Sequence, residues 1–143
     1  MLGVVHIPIM GAGGWPGTAA TVSAMTNVTQ AVGAYGERLA VRHLVAAGMV
    51  LLDRNWRSGT GEIDIVARDG DVVVFCEVKT RRGPGFGTPA EAVNARKVAR
   101  LRRLAAEWLA QARVRPREIR FDVIAVVSPP RGAPSLEHVR GAF

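Results

Sequence analysis

Residues 61–82 read GEIDIVARDGDVVVFCEVKTRR, and this stretch decides the fold. Two apolar runs, 62–67 and 72–79, flank the dipeptide Asp69-Gly70, which is typical of a tight type I′ turn between antiparallel strands. Apart from the acids, nearly every residue of both runs is apolar, which indicates strands that are covered on both faces. The rest of the chain is therefore expected to supply helices on both sides of a sheet.

The same stretch carries charged residues at spacings that a hairpin would bring together. If Asp69 and Gly70 are the two turn residues, residue 68 faces residue 71, so Asp64 lies opposite Phe75 and Glu77 lies opposite Glu62. The Cα atoms of Asp64 and Glu77 are then diagonal neighbours, about 7–8 Å apart.

Opposed residues project from the same face of a hairpin, so this register separates a charged face from an apolar one. The charged face is predicted to hold Glu62, Asp64, Glu77 and Lys79. The apolar face is predicted to hold Ile63, Ile65, Val74, Cys76 and Val78 as part of the core.

Two interpretations of the charged face remain open from these residues alone. Ionised groups in strands this apolar are costly unless they are paired or bound to a metal ion. In the first interpretation Lys79 forms an ion pair with Glu77, while Glu62 and Asp64 lie at a solvated strand end. In the second, the carboxylates bind a divalent ion and the amine serves phosphodiester chemistry.

Patterns outside the hairpin predict the remaining elements. Apolar residues at helical spacing predict a first helix over 30–47, and a second over about 90–114 that begins near Pro89 and Glu91. Further strands are predicted over 49–56 and 119–127, with a short edge strand over 136–139. The order αβββαβ, with a helical crossover before the fourth strand, predicts an α/β fold with a mixed sheet of four to five strands.

Length and composition set further bounds on this chain. Its 143 residues, 48% of them hydrophobic, predict one globular domain over 30–143, after a disordered or dispensable extension over 1–29 that has no charged residue. The single cysteine, Cys76, excludes a disulfide framework and a multi-cysteine zinc site. No apolar run approaches the roughly 20 residues of a membrane span, so a cytoplasmic protein without a membrane partner is predicted.

Positive charge is concentrated in one part of the chain. Residues 81–120 contain eleven Lys or Arg and three acids, a local charge of +8 against +7 for the whole chain. Such a segment favours a polyanionic partner, nucleic acid first, although a solvated arginine-rich helix is the alternative. Candidate phosphate contacts are Arg81, Arg82, Arg96, Lys97, Arg100 and Arg103. No small-molecule cofactor is expected, because Thr88 stands where a dinucleotide-binding loop needs its third glycine.

The string GEIDIVARDG followed by VFCEVKTR closely resembles the core of the YraN-like family of bacterial proteins. The resemblance extends from about Tyr35 to the C-terminus. It includes GERLA (36–40), RNWR (54–57), Lys97, RFDVI (120–124) and the closing HVRGAF (138–143). It implies the restriction-endonuclease-like fold of the PD-(D/E)XK nuclease superfamily.

The resemblance also implies roles for individual residues. Asp64 and Glu77 match the two metal-binding acids, Lys79 matches the lysine that orients or deprotonates the attacking water, and Glu37 matches an acid supplied by the first helix. A carbonyl from Val78 could complete the shell of a Mg²⁺ or Mn²⁺ ion.

The implied function is nucleic-acid binding, with DNA favoured over RNA, and metal-dependent phosphodiester hydrolysis. The alternative is a non-catalytic binding or adaptor protein that keeps the nuclease fold. A homodimer would suit cleavage of two strands, but no residue argues for one.

Overall fold

The computed structural model describes residues 24–83 and 94–143, with side chains from residue 30. The elements, in chain order, are α1 (Ala24–Ala46), β1 (Val50–Ser58), β2 (Gly61–Asp69), β3 (Val72–Arg81), α2 (Ala95–Ala112), β4 (Glu118–Val127) and β5 (Ser135–Val139). The predicted order αβββαβ is confirmed, and the predicted edge strand is present as β5.

The five strands form one mixed sheet in the order β1-β2-β3-β4-β5. Neighbouring strands are antiparallel except β3 and β4, which run parallel from Val72↔Glu118 to Arg81↔Val127. Strand β4 can follow β3 in parallel because α2 lies between them as a crossover. The predicted α/β class is confirmed, and the arrangement is that of a restriction-endonuclease-like core.

The helices cover opposite faces of the sheet, which explains why β2 and β3 are apolar on both sides. The core under α1 contains Ala40, Val41, Leu44, Met49, Ile65, Ala67, Val74, Cys76, Ile124 and Val126. The core under α2 contains Leu52, Ile63, Val66, Val73, Phe75, Leu101, Leu104, Ala105, Trp108, Val114 and Phe121.

Helix α1 begins at Ala24, six residues before its predicted start and within the segment predicted to be a disordered or dispensable extension. The rest of that extension, residues 1–23, lies outside the described residues. No helix in the described part of the chain is long and apolar enough to cross a membrane.

Helix α2 begins after Asn94, whose side chain accepts a hydrogen bond from the Lys97 N–H. This N-cap satisfies one of the donors that every helix start leaves free. The helix ends at Arg113, in the left-handed conformation with φ of 55°. The predicted start near Pro89 and Glu91 lies outside the described residues.

The turn of the β2–β3 hairpin differs from the prediction. Asp69 pairs with Val72 and Ile65 with Cys76, so the turn residues are Gly70 and Asp71 rather than Asp69 and Gly70. Gly70 has a φ of +60° and takes the first central position, as in a type II′ turn. Glycine adopts the positive φ of this position without strain, because it has no side chain.

This turn shifts the hairpin register by two residues relative to the prediction. Asp64 and Glu77 follow the last registered pair, Ile65↔Cys76, on their respective strands. The predicted oppositions of Asp64 with Phe75 and of Glu77 with Glu62 are therefore wrong. The shift is an even number, so it leaves the predicted faces unchanged near the turn.

Candidate metal centre beside a basic helix

Asp64 lies where β2 separates from β3. One residue beyond the last registered pair, its Oδ2 accepts a hydrogen bond of 2.8 Å from the Val78 N–H. Ile63 belongs to the core under α2 and Ile65 to the core under α1, although residues two apart normally share a face. The regular alternation of side chains between the two faces of β2 therefore breaks at Asp64. At this point the Asp64 carboxylate, rather than a backbone carbonyl, accepts the hydrogen bond between the strands.

This break changes the predicted division of the hairpin into two faces. Ile65, Val74, Cys76 and Val78 share the core under α1 as predicted, but Ile63 does not. Because Ile63 faces α2, the adjacent Glu62 faces away from α2, where it forms an exposed ion pair with Arg57 at 3.0 Å. The prediction that Glu62 shares a face with Glu77 and Lys79 is therefore wrong.

The Asp64 carboxyl group is difficult to ionise in this position. Burial raises its pKa to about 7, although the hydrogen bond from Val78 opposes the rise. Repulsion from Glu37, Glu77 and Glu62 raises the pKa further. Three other acids are thus close enough to Asp64 to act on its charge, and a cation bound there would relieve the repulsion.

Glu77 receives two lysines on one of its oxygens. Oε1 lies 2.6 Å from Nζ of Lys97 and 3.4 Å from Nζ of Lys79. The other oxygen, Oε2, is buried and has no hydrogen-bond partner among the described residues. A buried carboxylate oxygen without a partner is unusual in proteins, and its lone pairs are available to a ligand.

The two lysines differ in how their charges are held. Burial lowers the pKa of Lys97, and its contact with Lys79 lowers it further, while the hydrogen bond to Glu77 opposes both effects. Its contact with Lys97 and the attraction of Glu77 raise the pKa of Lys79 despite partial burial. The Lys79 side chain therefore carries a proton at neutral pH.

Glu37 approaches the same region from α1. Burial raises its pKa, while a hydrogen bond with Asn55 and the charge of Arg54 lower it. Asn55 has a φ of 49°, a left-handed conformation that asparagine tolerates better than most residues. The sequences GERLA and RNWR thus meet in space, and Asn55 holds the acid of the first helix.

The donor set at this position fits a hard divalent ion. Within residues 24–83 and 94–143, no group of three or more acidic, histidine or cysteine side chains is arranged to hold a metal. Mg²⁺ commonly binds through one or two carboxylates and keeps several waters, so the pair Asp64 and Glu77 is compatible with such an ion. The buried Glu77 Oε2 is an oxygen that no donor among the described residues uses.

The predicted phosphate-contacting residues differ in their exposure to solvent. Lys97 is buried against Glu77 and belongs to the candidate centre rather than to the solvent-facing surface. Arg82, Arg96, Arg100 and Arg103 are exposed. Arg81 ends β3, where its carbonyl accepts a hydrogen bond from the Ser128 N–H.

A second polar cluster, whose contacts the sequence patterns do not predict, is centred on Asp122 in the middle of β4, in register with Cys76 of β3. Asp122 is buried and accepts two hydrogen bonds from the Arg120 guanidinium, one from the Gly141 N–H and one from His138 Nε2 at 2.7 Å. His138 Nδ1 in turn lies 2.9 Å from His43 Nε2. The sequence signal for His43 is its helical spacing in α1, which turns it toward the sheet.

Comparison with known proteins places the chain in a family. Residues 36–126 match UPF0102, described as an uncharacterised protein family. A UPF0102 protein of Nocardioides sp. is 59% identical over 121 residues, which cover 85% of this chain and 98% of that relative. A UPF0102 protein of Streptomyces coelicolor is 53% identical over 135 residues, covering 93% and 98% of the two chains. The chain belongs to the UPF0102 family.

UPF0102 is the YraN-like family, so the resemblance seen in the sequence is confirmed. The matched range of this UPF0102 chain contains every side chain of the candidate centre: Glu37, Asp64, Glu77, Lys79 and Lys97. It also contains the C-terminal part of α1 and all of β1 to α2, the elements that position them.

Proposed function

We propose that this UPF0102 protein binds nucleic acid, DNA rather than RNA, and hydrolyses phosphodiester bonds with a Mg²⁺ or Mn²⁺ ion held by Asp64 and Glu77. The observation that carries the proposal is the buried Glu77 Oε2, which has no partner in the part of the chain that the structure describes, beside a second carboxylate that is difficult to ionise. Both features are costly in a protein that only has to fold. A cation held by the two acids would offset both costs.

The residues of the centre have separable roles in this reaction. A bound divalent ion would polarise the phosphate and activate water. Asp64 and Glu77 would hold the ion, with the Val78 carbonyl as a further oxygen ligand. Lys79 keeps its proton, so it would orient the attacking water and stabilise negative charge at the phosphate rather than act as a base. Glu37, held by Asn55, would add negative charge from the α1 side.

The exposed arginines of α2 would bind the nucleic-acid backbone. Arg96, Arg100 and Arg103 lie on the solvent side of the helix that carries Lys97, so phosphates bound there are adjacent to the centre. Contacts of this kind position a nucleic acid without reading its sequence. A cytoplasmic location remains a prediction.

A cleavage assay tests the catalytic part of this proposal. Duplex, branched and single-stranded DNA, together with RNA, would be incubated with the protein in Mg²⁺, Mn²⁺ or EDTA. Cleavage by the wild type is expected to require metal and to fall about 100-fold or more in Glu77→Ala and Lys79→Ala. Glu62→Ala is the matched control because this acid is exposed and paired with Arg57 outside the centre. Cleavage that persists unchanged in the Glu77 and Lys79 variants would overturn the assignment.

A second candidate function is nucleic-acid binding without cleavage. The ion pairs of Glu77 with both lysines favour it, because they neutralise the carboxylate without a metal ion. Under this alternative, binding to DNA is salt-sensitive, no substrate is cut, and Glu77→Ala leaves the dissociation constant for DNA unchanged. Electrophoretic mobility shifts on the same substrates distinguish the two functions.

A further inference from the structure

Lys97, like Glu37, reaches the candidate centre from outside the hairpin. It comes from the first turn of α2, opposite the strand that carries Glu77 and Lys79. Its Nζ makes the shortest ion pair of the centre, 2.6 Å from Glu77 Oε1, and both side chains are largely buried, with 13% and 12% of their surfaces exposed.

The backbone around Lys97 holds it in this position. The side-chain oxygen of Asn94, the N-cap residue, accepts a hydrogen bond of 2.9 Å from the backbone N–H of Lys97. This contact fixes the start of α2 and therefore the point from which the lysine reaches the sheet. One turn further on, Leu101 is buried in the core beneath the helix, which sets the helix orientation.

The charge of Lys97 has the sign of a metal ion and lies on the carboxylate that a metal would use. Two ammonium groups already lie within 3.4 Å of Glu77 Oε1. A divalent ion bound to the same carboxylate would lie within a few ångströms of both. In a partly buried site, repulsion between such charges is strong enough to weaken metal binding by an order of magnitude or more.

We propose that Lys97 is an internal counter-ion that occupies Glu77 in the metal-free protein and competes with a divalent cation for it. The inference rests on the proposed metal site, which it deepens by naming the residue that sets the metal affinity. Lys97 is a positioning residue here, since it acts on the metal through Glu77. Lys79, which is 36% exposed and farther from the carboxylate, has room to turn away when the ion binds.

Titration calorimetry of the full chain with Mn²⁺, at one pH and without nucleic acid, tests this proposal. The variants are Lys97→Gln, which removes the charge but keeps a hydrogen-bond donor, and Lys97→Arg, which keeps the charge. Lys97→Gln is expected to bind Mn²⁺ about tenfold or more tightly than the wild type, while Lys97→Arg stays within about threefold of it. Glu77→Gln is expected to abolish binding.

A second readout does not depend on calorimetry. Without metal, Lys97→Gln is expected to melt below the wild type, because Glu77 loses its closest counter-ion. Mn²⁺ is expected to raise the melting temperature of Lys97→Gln more than that of the wild type. Circular dichroism on both variants confirms that they are folded, and Lys97→Met serves as the substitute if Lys97→Gln is not.

The outcomes separate this inference from the proposed function. If the wild type binds Mn²⁺ through Glu77 but Lys97→Gln binds equally or more weakly, the counter-ion inference is overturned and the metal site stands. Tighter binding in Lys97→Arg as well would also overturn it, because charge would not be the cause. If no variant binds Mn²⁺ at millimolar concentration, the metal site and the counter-ion inference both fail.

Discussion

At the scale of single residues, the candidate centre has two unfavourable features. Asp64 replaces a strand–strand contact with a carboxylate that resists ionisation, and Glu77 keeps one buried oxygen without a partner among the described residues. Sites that bind ligands commonly retain such unfavourable features, which a purely structural position would lose. Substituting these residues should therefore separate stability from function.

Asp64→Asn is expected to stabilise the metal-free protein above neutral pH. Folding raises the Asp64 pKa from 3.8 to about 7. Below about pH 4 the carboxyl group is protonated in both states and does not lower the free energy of unfolding, whereas the full destabilisation is reached above pH 7. The asparagine oxygen can still accept the Val78 N–H. The expected gain at pH 8 is on the order of 2 kcal/mol, since partial exposure leaves some hydration.

Urea unfolding in EDTA at pH 4.5 and pH 8 measures this effect. The gain should be much smaller at pH 4.5 than at pH 8. Glu62→Gln is the control and should change the free energy of unfolding by less than about 0.5 kcal/mol, because its carboxylate is exposed. A destabilised Asp64→Asn protein at pH 8 would contradict the pKa assignment.

Asp122 is a buried acid with the opposite behaviour. Hydrogen bonds from His138, Arg120 and the Gly141 N–H outweigh the effect of burial and lower its pKa to about 2. The side chain is therefore ionised at all ordinary pH values and joins β4 to β5 and to the chain end. Phe143 stacks on Phe121 beside it, at a centroid distance of 5.1 Å.

Asp122→Asn is expected to destabilise the fold by about 3 kcal/mol, because it removes the buried carboxylate that Arg120 and His138 share and leaves Arg120 with its ion pair to Asp69. Chemical denaturation at pH 7 measures the loss, with Asp71→Asn in the exposed hairpin turn as the control. The difference between wild type and variant should shrink as pH falls from 3.8 towards 2, where the native carboxylate becomes protonated. An unchanged midpoint would show that the network contributes little.

At the scale of elements, the contact between α1 and β3 controls the geometry of the centre. A methyl group added at Gly36 would lie 1.8 Å from Thr80 Oγ1 and 2.9 Å from two of the carbons of that side chain. Rotating Thr80 does not relieve this overlap, since Cβ itself is too close. Glycine at position 36 therefore allows α1 to pack closely on β3, next to Glu37 of the helix and Lys79 of the strand.

Gly36→Ala is expected to destabilise the protein by about 1–3 kcal/mol, because α1 must move away from the sheet. Gly33→Ala in the same helix is the control, since nothing lies within 4 Å of its added methyl group. That variant should gain about 0.5–1 kcal/mol from helix propensity. Thermal and urea unfolding of both variants measure the contrast, and equal effects would contradict the close approach.

At the scale of the whole molecule, positive charge lies at both ends of α2. The helix has 18 residues and is about 27 Å long. Exposed Arg96 and Arg100 lie at the end that carries Lys97, whereas exposed Arg115 and Arg117 follow the other end. Net charge alone would treat these two pairs alike, so comparing them tests whether binding is localised beside the centre.

Replacing Arg96 and Arg100 with Gln is expected to weaken DNA binding and to reduce the slope of log K against log salt by about 2. The matched control replaces Arg115 and Arg117 with Gln, which removes the same charge at the far end of α2. Fluorescence anisotropy with a labelled duplex at several salt concentrations measures both. If the two double variants lose affinity equally, binding depends on overall charge and not on a surface beside the centre.

Much of the architecture could be predicted from local patterns. Periodicity and turn residues determine which segments are helices and which are strands, and the helical crossover determines that β3 and β4 are parallel. The acids of residues 61–82 are conspicuous in the sequence because ionised groups are unfavourable in apolar strands, and the family resemblance assigned their roles. These conclusions need only neighbouring residues or short connections, which the chain specifies directly.

Tertiary structure alone decided how the charged groups meet. The register of the hairpin depended on which residue took a positive φ, and the break at Asp64 depended on where the two strands separate. The contact of Lys97 with Glu77 and that of His43 with His138 join residues 20 and 95 positions apart. Such distances follow from the packing of both helices on the sheet, which no local pattern specifies.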